Sequence, residues 1–360
     1  MASSTRPAPR PGRGAVSNPA GRFEKTRAEA VDDGWGSLEE ELPKLPTVVQ
    51  PAPCRTLISR NKSPDLPFEL SINPYRGCEH GCIYCYARPS HAYWDLSPGL
   101  DFETRLFYKP DAAQLLRKEL AAPGYRCSPI TIGANTDPYQ PIEREYGITR
   151  SILEVLVDCR HPFSIITKGT LIERDIDLLA RAARDGLVHA FVSITTLDDA
   201  LKRRLEPRAA SPAARLRVIR TLHDAGVPSG VMVAPVIPVL TDAELERILH
   251  AAAEAGARTA GYVLLRLPYE IKDLFEEWLA EHEPLKAKHV LSRLSEMRGG
   301  RRNDPRWGHR MRGEGEYAEL LRKRFTTACA KAGLSPRDGF RYNMDSFRPP
   351  RTGPGQLELF

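Results

Sequence analysis

Six short apolar runs alternate with helical patterns along the chain, and that alternation limits the fold more than any other feature. The runs are LSINPY from Leu70, PITIGA from Pro129, FSIITK from Phe163, HAFVSITT from His189, GVMVAP from Gly230 and AGYVLLRL from Ala260. Between them lie TRSILEVLVDC, ERDIDLLARAARDG, SPAARLRVIRTLHDAG and TDAELERILHAAAEAG. The last two open on Ser-Pro and Thr-Asp, which are N-cap signals, and three of the four end in glycine, a C-cap signal. Brief apolar strands interleaved with helices predict an α/β chain with a parallel sheet covered on both faces. Six units rather than eight favour an open or partial barrel, with the chemistry on the loops after the strand C-termini.

The flanks read differently. Residues 1–50 are rich in Ala, Pro, Arg and Ser without sustained periodicity, and a mostly disordered N-terminal arm is expected there. The stretch GVMVAPVIPVL is broken by two prolines and is shorter than a membrane span. MASSTRPAPRPGRG lacks the apolar segment of an export signal, so a cytoplasmic chain without a membrane partner is expected. Seven cysteines, an odd number with three crowded together, do not read as a disulfide framework.

Those three cysteines sit just after the first run, in YRGCEHGCIYCYARP. Cys78, Cys82 and Cys85 are spaced x3 then x2, and Gly77 and Gly81 let the backbone fold around one centre. One reading is a Cys3His zinc site completed by His80 or His91. The other is a [4Fe-4S] cluster, which normally takes four thiolates, so that three leave one iron open.

C-x3-C-x2-C with Tyr84 before the third cysteine, after the first strand of a (βα)6 pattern, resembles the radical S-adenosylmethionine (SAM) enzymes. The resemblance implies a [4Fe-4S] cluster on Cys78, Cys82 and Cys85. It also implies that SAM occupies the open iron and is reductively cleaved to a 5'-deoxyadenosyl radical, with an electron donor of the flavodoxin or ferredoxin type. The fold it implies is a partial (βα)6 barrel over residues 51–283, a helical and basic extension over 284–347, and a flexible tail over 348–360.

CIYCYARPSHAY, GANTDPYQPIE, ITKG, SITT and LEPRAASPAARL are similar to the spore photoproduct lyase-like, or DNA repair photolyase-like, branch of that family. By strand position, Thr136, Lys168 and Ser193 match residues that hold SAM there, and a strand-end ammonium suits the SAM carboxylate. A plain surface lysine is the alternative for Lys168. Tyr84 and Tyr86 match tyrosines proposed to pass a hydrogen atom; as packing aromatics they would look the same. Where the lyase proper carries a hydrogen-donating cysteine, this chain has Asn135, and Cys127 lies at the opposite end of that strand. A different hydrogen abstraction is therefore as compatible as lesion splitting. Asn135, Asp137, Tyr139, Gln140 and Glu143 are expected to face SAM or substrate, with a turn on Asp137-Pro138 as the structural alternative for some of them.

Two further stretches bear on partners. MRGGRRNDPRWGHRMRG holds six arginines against one acid, with Trp307 among them, which suits either DNA phosphates and bases or an acid-paired surface. QLELF, Gln356 to Phe360, follows a Pro/Gly tether and resembles the peptide by which bacterial repair proteins dock on the DNA sliding clamp. The competing readings are an apolar tail folded back on the core and, for the whole chain, a non-catalytic zinc-binding adaptor of DNA and clamp.

Overall fold

A computed structural model describes residues 10–24, 45–336 and 339–350; the tail peptide Gln356 to Phe360 lies outside the described residues. Each of the six apolar runs contains a strand: β1 (Leu70–Ile72), β2 (Ile130–Ile132), β3 (Phe163–Thr167), β4 (Val188–Ser193), β5 (Ser229–Val236) and β6 (Thr259–Leu264). They pair in chain order and every pairing is parallel. Ser59–Arg60 adds antiparallel to β1 and Ser335–Pro336 adds parallel to β6, and the two ends of the sheet do not pair with each other among the described residues. This is the open, partial barrel that six units imply. All six residues of β4 are buried, as expected for a strand covered on both faces.

The crossovers are α1 (Ala112–Leu120), α2 (Ile148–Asp158), α3 (Ile176–Arg184), α4 (Pro212–Asp224) and α5 (Leu245–Glu254). Each turns one stripe inward: α3 buries Leu178, Leu179 and Ala182 and exposes Asp177, Arg181 and Arg184. Ser211 caps α4 as its sequence predicts, accepting a hydrogen bond from Ala214 N at 3.2 Å. Thr241 does not cap the next helix. Its Oγ1 instead accepts from Ile237 N at 2.8 Å, inside the turn that leaves β5. Gly186, Gly226 and Gly256 end three helices at φ +70°, +73° and +109°.

After β6 come α6 (Ile271–His282), α7 (Pro284–Glu296) and α8 (Gly315–Ala332), with α8 packed on α5 and Arg324 paired to Glu246. The arginine-rich loop between α7 and α8 is largely committed to this chain. Arg298 is buried against the carbonyls of Leu265, His309 and Arg310; Arg302 pairs with Glu276, Arg306 with Asp304 and Glu314, and Arg310 with Asp65. Arg301 and Arg312 are exposed and make no ion pair among the described residues. At the opposite end of the sheet, Phe340 stacks on His189 at 4.7 Å and Phe347 meets His161 edge-on at 5.1 Å.

Two described parts of the N-terminal arm lie on the body. Val48–Pro51 pairs parallel with Arg105–Tyr108, which also pairs antiparallel with Tyr75–Arg76. Residues 13–15 cross the cysteine loop as a strap. Gly14 N and Ala15 N each donate to Glu103 at 2.9 Å, and Arg13 donates to Glu103 O at 2.9 Å and Leu45 O at 2.7 Å. Only a glycine fits at the crossing, because a Cβ on residue 14 would stand 1.8 Å from Gly81 O. Gly14→Ala is therefore expected to destabilise the protein by about 1–3 kcal/mol through overpacking, read as a lower denaturation midpoint. An unchanged midpoint would show that the strap does not press on the loop.

Candidate active site

The loop bearing the cysteines leaves β1 through Tyr75–Arg76 and is held from both sides. Gly77 and Gly81 have φ +72° and +68°, and a Cβ on either would collide, with Leu106 Cδ2 at 2.5 Å and with Glu103 Oε2 at 2.7 Å. Arg88, fully buried, donates to the carbonyls of Cys82, Gly81, Pro98 and Gly99 and pairs with Glu103 at 2.5 Å. That carboxylate is the one gripped by the strap, so a single ion pair ties strap to loop. On the other side, Ile83 N donates to Leu205 O, Arg208 N donates to His80 O, and Arg208 pairs with Glu79 at 2.7 Å.

Cys78 and Cys82 are buried and Cys85 is half-buried, and none forms a disulfide. Burial, with Asp137 and the other two thiols adding to it, pushes Cys78 up; burial and then Glu206 push Cys82 up to about 12; burial also raises Cys85. The three thiols, each within electrostatic reach of the others, become thiolates when a cationic centre binds them. A single zinc ion would need them closer. Zn–S bonds of about 2.3 Å place tetrahedral sulfurs roughly 3.8 Å apart. Among the described residues the only Cys, His or acid group within 4.8 Å of mutual spacing is Asp304, His309 and Glu314, where Arg306 already bridges both carboxylates. The two imidazoles offered as a fourth zinc ligand are engaged as well: His80 Nδ1 lies 3.3 Å from Asp137, and His91 Nε2 lies 3.0 Å from Arg105 O. The donor set fits a wider iron–sulfur cluster.

Around the thiols runs a buried polar network that sequence reading missed. Glu206 is fully buried and pairs with Arg215, accepts from Tyr84 Oη and from Thr195 Oγ1, the latter at 2.8 Å, and lies 3.8 Å from Lys168 Nζ. Burial alone would raise its carboxyl, but Arg215 first and Lys168 next hold it down at about 2. Arg215 donates to Ser193 O at 2.9 Å and Ala210 O at 2.9 Å, fixing the end of β4. Both residues stand in LEPRAASPAARL; an acid and an arginine nine positions apart carry no local sign that they pair.

The expected site residues fall into two groups. Lys168 is the first residue after β3, with Nζ 3.1 Å from Ala234 O and 5.9 Å from the Tyr84 ring centre; Ser193 is the last residue of β4. Asp137 is half-buried beside Lys168, accepting from Lys168 N at 2.6 Å and Thr167 Oγ1 at 2.7 Å, and His80 is the main influence lowering its carboxyl against burial. Thr136 is not on β2 but four residues past it, its hydroxyl donated to Tyr75 O at 2.9 Å. Asn135 is exposed at the same strand end, its N–H donated to Asn73. Tyr86 is 48% exposed and donates to Ala134 O beside Asn135, whereas Tyr84 is buried. Tyr139, Gln140 and Glu143 do not face an opening. Tyr139 donates to Asp175, Gln140 clamps Glu79 N and Gly77 O, and Glu143 accepts from Tyr75 and Thr149. Cys127 precedes β2 at the far end of the sheet.

Residues 72–252 match the Radical SAM superfamily. An uncharacterised protein of Mycobacterium tuberculosis is 39% identical over 281 residues, 76% of this chain and 78% of its own length. A protein of Pseudomonas phage M6 named as a radical SAM Nα-GlyT isomerase is 27% identical over 190 residues, covering 52% of this chain and 37% of its own. Among solved structures, a mutant spore photoproduct lyase with bound AdoMet and dinucleoside spore photoproduct superposes with TM-score 0.56 at 16% identity, over 84% of this chain and 88% of its own.

Glu206→Gln should leave the buried Arg215 cation without its counter-charge and cost about 3–5 kcal/mol in denaturant unfolding. Adding Arg215→Met to the same chain should recover most of that loss. The native pair is stabilising above the ordinary carboxyl value of 4.5 and loses its contribution as pH falls towards 2, since the folded value is the lower one. Single and double variants equally stable with wild type would show that the pair is not coupled.

Proposed function

Because the chain belongs to the radical SAM superfamily, with a [4Fe-4S] cluster and SAM as its cofactors, we propose that it abstracts a hydrogen atom from a nucleic-acid substrate at the C-terminal end of the sheet. The observation that carries this reading is the strand-end Lys168 within electrostatic reach of Cys82 and Cys85, on a loop whose next residue, Tyr86, is exposed. Cys78, Cys82 and Cys85 would hold the cluster, which when bound would supply the electron for reductive cleavage of SAM. Lys168 offers its ammonium to the SAM carboxylate, with Asp137 and Glu206 holding its backbone and side chain in place. Ser193, the last residue of β4, is assigned to the same SAM site. Thr136 and Asn135 shape the β2 end through Asn73, which both backbone N–H groups reach.

Of the two tyrosines, Tyr86 is the one a substrate can meet, and its hydroxyl reaches the β2 end where Asn135 stands. We assign it the hydrogen relay. Tyr84, locked on Glu206 and Thr195, is a positioning residue.

Nucleic acid as substrate draws on exposed aromatics paired with arginines. Tyr93, Trp94 and Tyr269 are exposed; Arg22 lies 3.9 Å from the Tyr269 ring and Arg76 lies 4.2 Å from the Trp94 ring. Aromatics interleaved with arginines stack bases and neutralise phosphates. The fold likeness to a lyase that binds a dinucleoside lesion agrees with the same substrate class. A low-potential flavodoxin or ferredoxin would supply the electron, and the QLELF tail would bring the enzyme to the sliding clamp.

The test is hydrogen transfer. Reduced, cluster-loaded protein given SAM and a perdeuterated single-stranded oligonucleotide should form 5'-deoxyadenosine one mass unit heavier, and Tyr86→Phe should lower the yield of altered oligonucleotide. Only unlabelled 5'-deoxyadenosine from the wild type, with the oligonucleotide unchanged, would contradict a nucleic-acid substrate.

A further inference from the structure

Beyond Leu264 the chain leaves β6 through Leu265 and Arg266, and the Arg266 guanidinium stands 5.9 Å from the ring of Tyr86, the residue after Cys85. This arginine is short of partners. Among the described residues its only acceptor is the thioether sulfur of Met311, 3.6 Å from Nη1, and thioethers accept weakly. Its Nε is buried with no partner.

The neighbouring charges do not supply an anion either. Asp65 is the acid within its field, but one carboxylate oxygen accepts from Gly308 N at 2.6 Å and the other from Arg310. Arg298, in the field of Arg266, spends Nη1 and Nη2 on backbone carbonyls, and its Nε is also buried without a partner among the described residues. Three guanidinium groups therefore gather where the two carboxylates in their fields, Asp65 and Asp304, are already engaged by Arg310 and Arg306.

A partly desolvated cation without a counter-ion costs stability, and such groups concentrate where a ligand supplies the missing charge. The planar fork of arginine matches phosphate oxygens two at a time. We infer that Arg266 binds a phosphate of the substrate and sets it beside Tyr86, so that the position of the phosphate selects which hydrogen faces the relay. This rests on the nucleic-acid reading above and adds to it the group that is recognised.

The test uses cluster-loaded full-length protein with two probes, a ten-residue oligothymidylate and thymidine monophosphate, and compares wild type with Arg266→Met and Arg266→Lys. Affinity for the oligothymidylate should fall about tenfold or more in the Met variant, as for loss of one charge-assisted contact, and recover in part with Lys. Thermal melting in phosphate-free buffer should stay level or rise in the Met variant, because an uncompensated charge has been removed. Loss confined to the oligothymidylate places a strand phosphodiester at Arg266, and equal loss for the monophosphate places a terminal phosphate there. Unchanged affinity for both probes, or a melting temperature lowered by several degrees, would overturn the inference, the second result by making Arg266 a structural group. Iron content and SAM cleavage of the wild type are read separately: if they fail while phosphate still binds through Arg266, the radical reading falls and the anion contact stands.

Discussion

The buried pair Glu206–Arg215 is the constraint on which the site's geometry rests. Two charges leave water only if each finds the other and further hydrogen bonds, and here those bonds go to Tyr84, Thr195, Ser193 O and Ala210 O. Satisfying the pair thereby fixes the end of β4, the loop that carries Cys82 and Cys85, and the start of α4. Lys168 then stands at 3.8 Å from a carboxylate kept ionised, which holds the ammonium at the strand end rather than in solvent. A second pair, Arg88–Glu103, does the same on the outer side, where the strap crosses. The thiols lie between two electrostatic anchors.

Much of the architecture was legible because it depends on local pattern. Short apolar runs of four to eight residues, separated by amphipathic stretches ending in glycine, have few solutions other than parallel strands with crossover helices. The three cysteines announced a metal centre for the same reason, since their spacing on a glycine-bearing loop is a local property. What could not be read depends on distant partners. Glu206 and Arg215 look like ordinary helix-end charges until the fold buries them. Tyr139, Gln140 and Glu143 are polar residues after a strand, and whether they face a ligand or the interior is decided by Gly77, Asp175 and Tyr75 from elsewhere in the chain. Gly14 sits in a stretch of low complexity, yet it has to be glycine because Gly81 passes over it.

The division of labour between the tyrosines follows from burial alone. Sequence presents Tyr84 and Tyr86 as equivalent flanks of Cys85, but one is spent on a carboxylate inside the protein and the other is half exposed at the opening. Under the proposed function, Tyr86 rather than Tyr84 is assigned the hydrogen relay because it is exposed beside Asn135 at the end of β2. Arg266 lies 5.9 Å from the ring of Tyr86, so the proposed recognition and relay groups stand side by side.

The central claim is that three thiolates hold a cluster with one iron open to SAM, and electron paramagnetic resonance of the anaerobically reconstituted, dithionite-reduced protein tests it most directly. The account predicts the signal of a reduced [4Fe-4S] cluster whose g values shift when SAM is added, because SAM binds the open iron. A colourless, silent protein containing zinc, or a cluster signal indifferent to SAM, would contradict it.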